Sequence, residues 1–274
     1  MIKKVFLITE FGKPFDWTPK YIENVGKLAK YGWYWKIFTP NKYENLPPNV
    51  EIVDMTIEQY GDLVMEKLNV RPNMFLTPKG IPSVHITDFY IFSGIVFQDY
   101  IKGFDFWGIT NMDVLYGRLD HFVSDTMLQD CDVFTDDVET INGVFCLFRN
   151  NELCNNLWRL ISNWKEIIGQ KVCKGCLDGS GEHKIFASDE IIMTEVMKGV
   201  KDKVRYRYPL YYPWSSHDRL EIHVPVPKLK MEADGSLWEL IGDTKNKAWI
   251  HHIPFFGREI MYYHFQDTKN YPNV

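Results

Sequence analysis

No run of apolar residues in this chain approaches the roughly 18 to 20 that a helix needs to cross a bilayer, so no integral membrane segment is expected. No signal peptide is expected either. The apolar run inside MIKKVFLITEFG stops at Glu10 without a small-residue cleavage site and reads as a first buried strand. Cysteine is sparse and odd in number, five in 274 residues, in a chain large enough to hold itself together without cross-links. Free thiols and a reducing compartment, the cytoplasm, are the expectation. Cationic excess is lacking as well, and a net charge of −5 argues against a surface wholly given over to nucleic acid. Repeats, low-complexity tracts and long linkers are missing from the sequence. A single domain over 1–274 with an elaborated C-terminal half is the simplest arrangement.

Aromatic residues, by contrast, are plentiful, with nine Trp, fifteen Tyr and eighteen Phe. Most are expected to fill the core, although ring faces also serve as stacking platforms in sugar- and base-binding clefts. Apolar runs of strand length alternate with segments of helical period. Val5–Ile8, Trp35–Thr39 and Val50–Val53 read as strands, with helices over Pro19–Lys30 and Ile57–Leu68 between and after them. This βαβ opening predicts an α/β fold whose sheet is mixed but mostly parallel and flanked by helices, with crevices at its carboxyl edge. A helix over about Asp88 to Ile101 leads into a strand over Phe104–Thr110. The strongest amphipathic pattern lies in Asn151–Ile168, where Leu153, Leu157, Leu160, Ile161, Trp164 and Ile168 share one face of a helix. The glycine-rich stretch 169–184 breaks the pattern and reads as an insertion loop.

Several residues can carry chemistry, and each has a plainer reading beside it. In FDFWGITNMDVLYGRLDHF, Asn111 and Asp113 follow a buried strand. They are either turn and cap residues or the place where a divalent ion and a diphosphate sit at the sheet edge. Ser188-Asp189-Glu190 precedes an apolar helical run and reads as an N-cap with first-turn acids. Cys173-Lys174-Gly175-Cys176 lacks the second pair that structural zinc needs, and two free thiols in a loop are the simpler reading. Lys198, Lys201, Lys203, Arg205 and Arg207 interleave with Tyr206, Tyr208, Tyr211, Tyr212 and Trp214. That is either a phosphate-gripping surface or a solvated helix end followed by a half-buried strand.

The longer string is more specific. Phe106-Trp107-Gly108, Asn111-Met112-Asp113 and Tyr116-Gly117 together resemble the DFWG…D-x-D…G core of GT-A-type glycosyltransferases among polysaccharide-biosynthesis proteins. Further anchors follow in order: Glu10-Phe11-Gly12, Pro48-Asn49-Val50, Asp88-Phe89, Gly143-Val144-Phe145, Leu147-Phe148-Arg149-Asn150 and Tyr263-His264-Phe265-Gln266. They run from residue 10 to residue 266.

The resemblance implies a metal-dependent transferase that moves a sugar from a nucleoside-diphosphate sugar, UDP-linked by preference, to an acceptor hydroxyl. It implies a donor site drawing on Phe11, Gly12, Asp88, Trp107, Asn111 and Lys269. Asp113 and His264 would ligate Mn²⁺ or Mg²⁺, and Asp189 with Glu190 would serve as catalytic carboxylates. A glycan acceptor is favoured, while the basic aromatic segment keeps DNA as an alternative and the amide at Asn111 keeps an inactive binding module as another. Two departures stand out. Asn111 replaces the first aspartate of the D-x-D, removing a full negative charge, and Tyr90-Ile91 replaces the Lys-Pro of an Asp-Phe-Lys-Pro helix start.

Overall fold

The computed structural model describes residues 1–70, 72, 90–135, 141, 143–162, 164–165, 189–200, 203–207, 214–216, 228–240, 257–260 and 262–264. Along 189–192, 206–207, 214–216, 228–230, 238–240, 257–260 and 262–264 the description is of the backbone alone. The expected helix start at Asp88 and the insertion at 169–184 lie outside the described residues.

The first strand sets the architecture. In β1 (Lys4–Thr9), Val5 and Leu7 join one hydrophobic cluster and Phe6 and Ile8 another, so both faces of the strand are covered. A strand buried on both sides reads as a continuous apolar run, which is why the sequence shows no polar alternation here. Around it lie β2 (Trp33–Thr39), β3 (Val50–Asp54), β4 (Phe106–Thr110), β6 (Val133–Thr135), β7 (Phe145–Arg149) and β8 (Tyr206–Arg207). They form a seven-stranded sheet in the order β3-β2-β1-β4-β7-β6-β8. Strand β7 runs antiparallel to both its neighbours, and every other pairing is parallel. This is the mixed, mostly parallel α/β sheet expected from the sequence.

Helices cover both faces. On one side pack α1 (Thr18–Gly26), α4 (Leu119–Phe122) and α5 (Asp125–Gln129); on the other α2 (Ile57–Leu68), α3 (Ser93–Val96), α6 (Glu152–Asn155) and α7 (Asp189–Val200). The bounds of α2 are set locally. Thr56 and Gln59 form a reciprocal capping box at its start, and Asn69 ends it in the left-handed conformation at φ 52°. The aromatics are largely core: Phe6 meets Trp33, Trp35 and Phe145 at ring-centre distances of 5.7, 5.5 and 5.3 Å. Burial extends even to Lys4, whose ammonium gives hydrogen bonds to Ile2 O and Tyr31 O and pairs with Asp125 at 2.9 Å.

Several of the motif strings serve as fastenings of this fold. Asn49 donates to Val25 O and Trp33 O at 2.9 and 3.0 Å, joining α1 to the entry of β2. A Cβ at Gly108 would lie 2.5 Å from Cys146 O and 2.7 Å from a Leu147 methyl, so only glycine fits there. Trp107 stacks on Phe148 at 4.5 Å, gives its indole N–H to Asn155 Oδ1 at 2.7 Å, and is overlaid by Gly94, where a Cβ would come within 2.7 Å of the ring. Arg149 donates to Leu128 O and Gln129 O, while Asn150 donates to Ile101 O and Phe104 O.

Two helices differ from expectation. The one expected over Asp88–Ile101 is reduced, within the described residues, to a turn leading into the four residues of α3. The one expected over Asn151–Ile168 is broken into α6, a 3-10 turn at Leu157–Leu160, and an extended Ile161 at φ −87°, ψ 108°. Packing accounts for the break. Trp158 and Trp164 meet edge to face at 4.7 Å and both lie against Phe92. Six positions along a straight helix would point them about 120° apart. In consequence Leu153 and Leu160, assigned to the buried face, are 41% and 53% exposed.

The C-terminal half adds two small sheets. One joins β10 (Lys228–Met231), β11 (Leu237–Leu240) and β12 (Gly257–Ile260); the other joins β5 (Val114–Tyr116), β13 (Tyr262–His264) and β9 (Trp214–Ser216). The turn between β10 and β11 reaches back to the main body, where Asp234 pairs with Arg118 at 3.4 Å.

Candidate functional site

Because β1, β2 and β4 are parallel, their last residues gather on one edge of the sheet. From β1 come Glu10, Phe11 and Gly12, from β2 come Thr39 and Asn41, and from β4 comes the turn holding Asn111, Met112 and Asp113.

Glu10 is the most enclosed acid of this edge, 5% exposed. Its carboxylate accepts hydrogen bonds from Thr18 Oγ1 at 3.3 Å, Asn41 Nδ2 at 3.4 Å and the Tyr43 hydroxyl. Burial, and then the bond to Glu10, pushes the Tyr43 phenol upward, so it stays protonated as the donor. Asn41 also gives a hydrogen bond to Gly12 O at 2.9 Å, fixing the loop that follows β1.

That loop is tied to the β4 turn. The Trp17 indole donates to Met112 O at 3.0 Å, and the ring of Phe15, 47% exposed, stacks on Trp17 at 4.6 Å. On the other side of the turn, the Tyr90 hydroxyl donates to Asn111 Oδ1 at 3.2 Å. The outgoing strand β5 is clipped by a buried asparagine of α1: Asn24 accepts from Tyr116 N at 2.8 Å and donates to Tyr116 O at 2.9 Å. Tyr116 in turn shares a hydrogen bond with Thr110 at the end of β4. Asp113 is half-buried, with Oδ1 shielded from solvent. The backbone of His264 pairs with Val114, the residue next to Asp113, and with Ser216.

Among the described residues no three of His, Cys, Asp and Glu are grouped closely enough to hold a metal ion. A hard cation prefers ionised oxygens, and this turn offers one carboxylate, Asp113, beside an amide oxygen already accepting a hydrogen bond. Asp113, with the strand of His264 paired alongside, is the carboxylate that this turn would offer a divalent ion.

The sequence of the whole chain matches one family model, described as "Family of unknown function (DUF6625)", over residues 8–272. The chain belongs to this family. No curated protein matches it. Among solved structures the galactosyltransferase LgtC, determined in complex with donor and acceptor sugar analogues, is similar at 12% identity, over 80% of this chain and 77% of that one, with a TM-score of 0.43. An active-site mutant of LgtC is similar at 10% identity, over 96% of this chain and 87% of that one, with a TM-score of 0.42.

In this DUF6625 member the structure brings Phe11, Gly12, Asn111 and Asp113 to one edge, with the backbone of His264 beside them. Phe11 packs on Tyr60 at 5.4 Å. Trp107 is elsewhere: it is 1% exposed within the core, so its role is in packing rather than at the ligand-facing edge. Asp189 and Glu190 open α7, described by their backbone alone. Asp88, Lys269 and the Cys173–Cys176 pair fall outside the described residues. No helix among those described is long and apolar enough to cross a membrane. Cys131, Cys146 and Cys154 are buried thiols outside any disulfide, and burial pushes the Cys154 thiol up to about 12.

The basic segment is partly spoken for. Arg205 is bound to Asp132 through Nε and Nη2, both at 3.0 Å, and Lys198 pairs with Glu195 at 2.8 Å. Sequence reasoning gave no site role to Glu10, which it named only within an anchor string, to Tyr90, which it named only as a departure, or to Trp17. Glu10 carried a signal, a lone acid ending an apolar strand, whereas the partners of Trp17 and Tyr90 lie far along the chain.

Proposed function

We propose that the chain is a glycosyltransferase of the GT-A kind, moving a sugar from a nucleoside-diphosphate sugar, UDP-linked by preference, to the hydroxyl of a glycan acceptor. The observation that carries this reading is the return of β13 to β5. It sets the backbone of His264 against Val114, one residue from Asp113, at the carboxyl edge of a mostly parallel sheet. Such an edge is where open α/β sheets bind nucleotides. The ordered motif strings from Glu10 to Gln266 support the same assignment.

In the proposed reaction the acceptor oxygen attacks the anomeric carbon, and the bond from that carbon to the diphosphate oxygen breaks. Asp189, with Glu190 beside it, takes the acceptor proton in an inverting course. Charge grows on the departing diphosphate, and fixed polar groups at the sheet edge offset it without reorganising. Mn²⁺ or Mg²⁺, drawn to Asp113 and His264, would supply further positive charge there. Trp17 and Asn24 hold the turn and its outgoing strand in place, so the geometry exists before the donor arrives.

The test is donor hydrolysis across a panel of nucleotide-sugars with Mn²⁺ or Mg²⁺, for the wild type and Asp113→Ala. Turnover of at least one donor is expected in the wild type. In Asp113→Ala it should fall to background with the melting temperature unchanged. A wild-type protein that binds UDP yet hydrolyses no nucleotide-sugar would instead be a binding module.

A further inference from the structure

The two places where this sequence departs from the glycosyltransferase pattern touch each other. Tyr90, standing where that pattern has lysine, donates its hydroxyl to the side-chain oxygen of Asn111, standing where it has aspartate. One hydrogen bond joins two substitutions that lie in separate motifs.

The bond orients the amide. With Oδ1 accepting from the phenol O–H, the N–H₂ end, two donors and no acceptor, is turned away from Tyr90. The residue is only partly buried and sits where β4 gives way to the turn at the sheet edge. An N–H donor is the wrong polarity for a cation and the right one for a phosphate oxygen. Hydrogen bonds to ionised oxygens are the stronger class.

We infer that Asn111 binds a phosphate oxygen of the nucleoside diphosphate directly through its amide N–H₂, held in that sense by Tyr90. This rests on the donor site proposed above and deepens it. The consequence is that part of diphosphate affinity here does not depend on a divalent cation. An aspartate at this position would repel the diphosphate unless a cation lay between them. The Tyr90–Asn111 pair therefore exchanges a bridged anionic contact for a direct one.

The experiment is calorimetric binding of UDP, GDP, ADP, CDP and dTDP, in Mn²⁺ and in EDTA, to the wild type, Asn111→Ala, Asn111→Asp and Tyr90→Phe. Wild-type affinity should remain measurable in EDTA. Asn111→Ala should weaken binding by about tenfold or more in both buffers alike, the loss of one hydrogen bond to a charged group. Asn111→Asp should lose at least as much in EDTA and regain most of it in Mn²⁺, becoming cation-dependent. Tyr90→Phe should lie between wild type and Asn111→Ala, since the amide is then free to turn. A loss in Asn111→Ala confined to Mn²⁺ overturns the inference, because Asn111 would then be a cation ligand, and so does wild-type binding that vanishes in EDTA. Either of those leaves the donor site standing. If no nucleoside diphosphate binds in either buffer, the donor site itself falls, and the inference with it.

Discussion

The indole N–H of Trp17 meets the carbonyl oxygen of Met112 at 3.0 Å, joining the loop after β1 to the turn between Asn111 and Asp113. Two segments remote in sequence are thereby held as one rim, with the stacked Phe15 ring on its outer side. Trp17→Phe keeps a ring and removes the bond. Stability should fall by only about 1 kcal/mol, the usual net worth of a hydrogen bond. Nucleotide affinity should fall several-fold, because the turn is no longer anchored. A full set of binding isotherms indistinguishable from wild type would show that the rim needs no such tie.

His264 lies on a strand paired to the residue beside Asp113. If it helps to hold the cation, His264→Ala should shift the Mn²⁺ requirement for turnover upward by tenfold or more, with saturating activity partly retained. The check is a metal titration at fixed donor concentration. Superimposable titrations would return His264 to the role of a strand residue.

Gly108 admits no side chain, since a Cβ would sit 2.5 Å from Cys146 O in the neighbouring strand. Gly108→Ala should destabilise the protein by about 2 kcal/mol or more through forced separation of β4 and β7. Chemical denaturation measures it. A loss under about 0.5 kcal/mol would mean that the sheet yields there more readily than close packing allows.

Asp132 joins β6 to the start of β8 through Arg205, and also accepts from Arg149. Chiefly through Arg205, its carboxyl is held down to about 2. A carboxyl lowered on folding contributes stability above its unfolded value, near 3.9, and that contribution is lost as pH falls through the folded one. Asp132→Asn should therefore melt a few degrees lower than wild type at pH 7. The gap should hold down to about pH 5 and close between about pH 4 and pH 2. A gap that persists undiminished at pH 2 would assign it to packing rather than charge.

How far the sequence revealed the molecule varied with how local the deciding forces are. The strands β1 and β4 and helix α2 were legible because burial on both faces and a capping box write themselves into neighbouring residues. The region after Asn151 was not. Its periodic leucines describe a helix face, but the contact between Trp158 and Trp164 and the hold of Asn155 on Trp107 override that periodicity. At the site, Asn111 and Asp113 could be picked out by their place after a buried strand. Tyr90 stood out only as a departure and Trp17 not at all, since each acts through a partner supplied by the tertiary fold. Trp107 shows the converse: motif membership marked it for ligand binding, whereas its ring is enclosed by Gly94 and Phe148.

The pairing of β13 with β5 also bears on the order in which the molecule becomes competent during synthesis. Strands β1 to β4 and β7 all leave the ribosome well before Tyr262, and their mutual contacts can form as they emerge. His264 finds Val114 across more than half the length of the chain, a closure slow in proportion to its contact order. A nascent chain would thus present the carboxyl edge of the sheet, with Asn111 and Asp113 in place, while still lacking its histidine. Under the proposed function, catalytic competence would then be the last property acquired, and nucleotide binding by a stalled translation intermediate would precede any turnover.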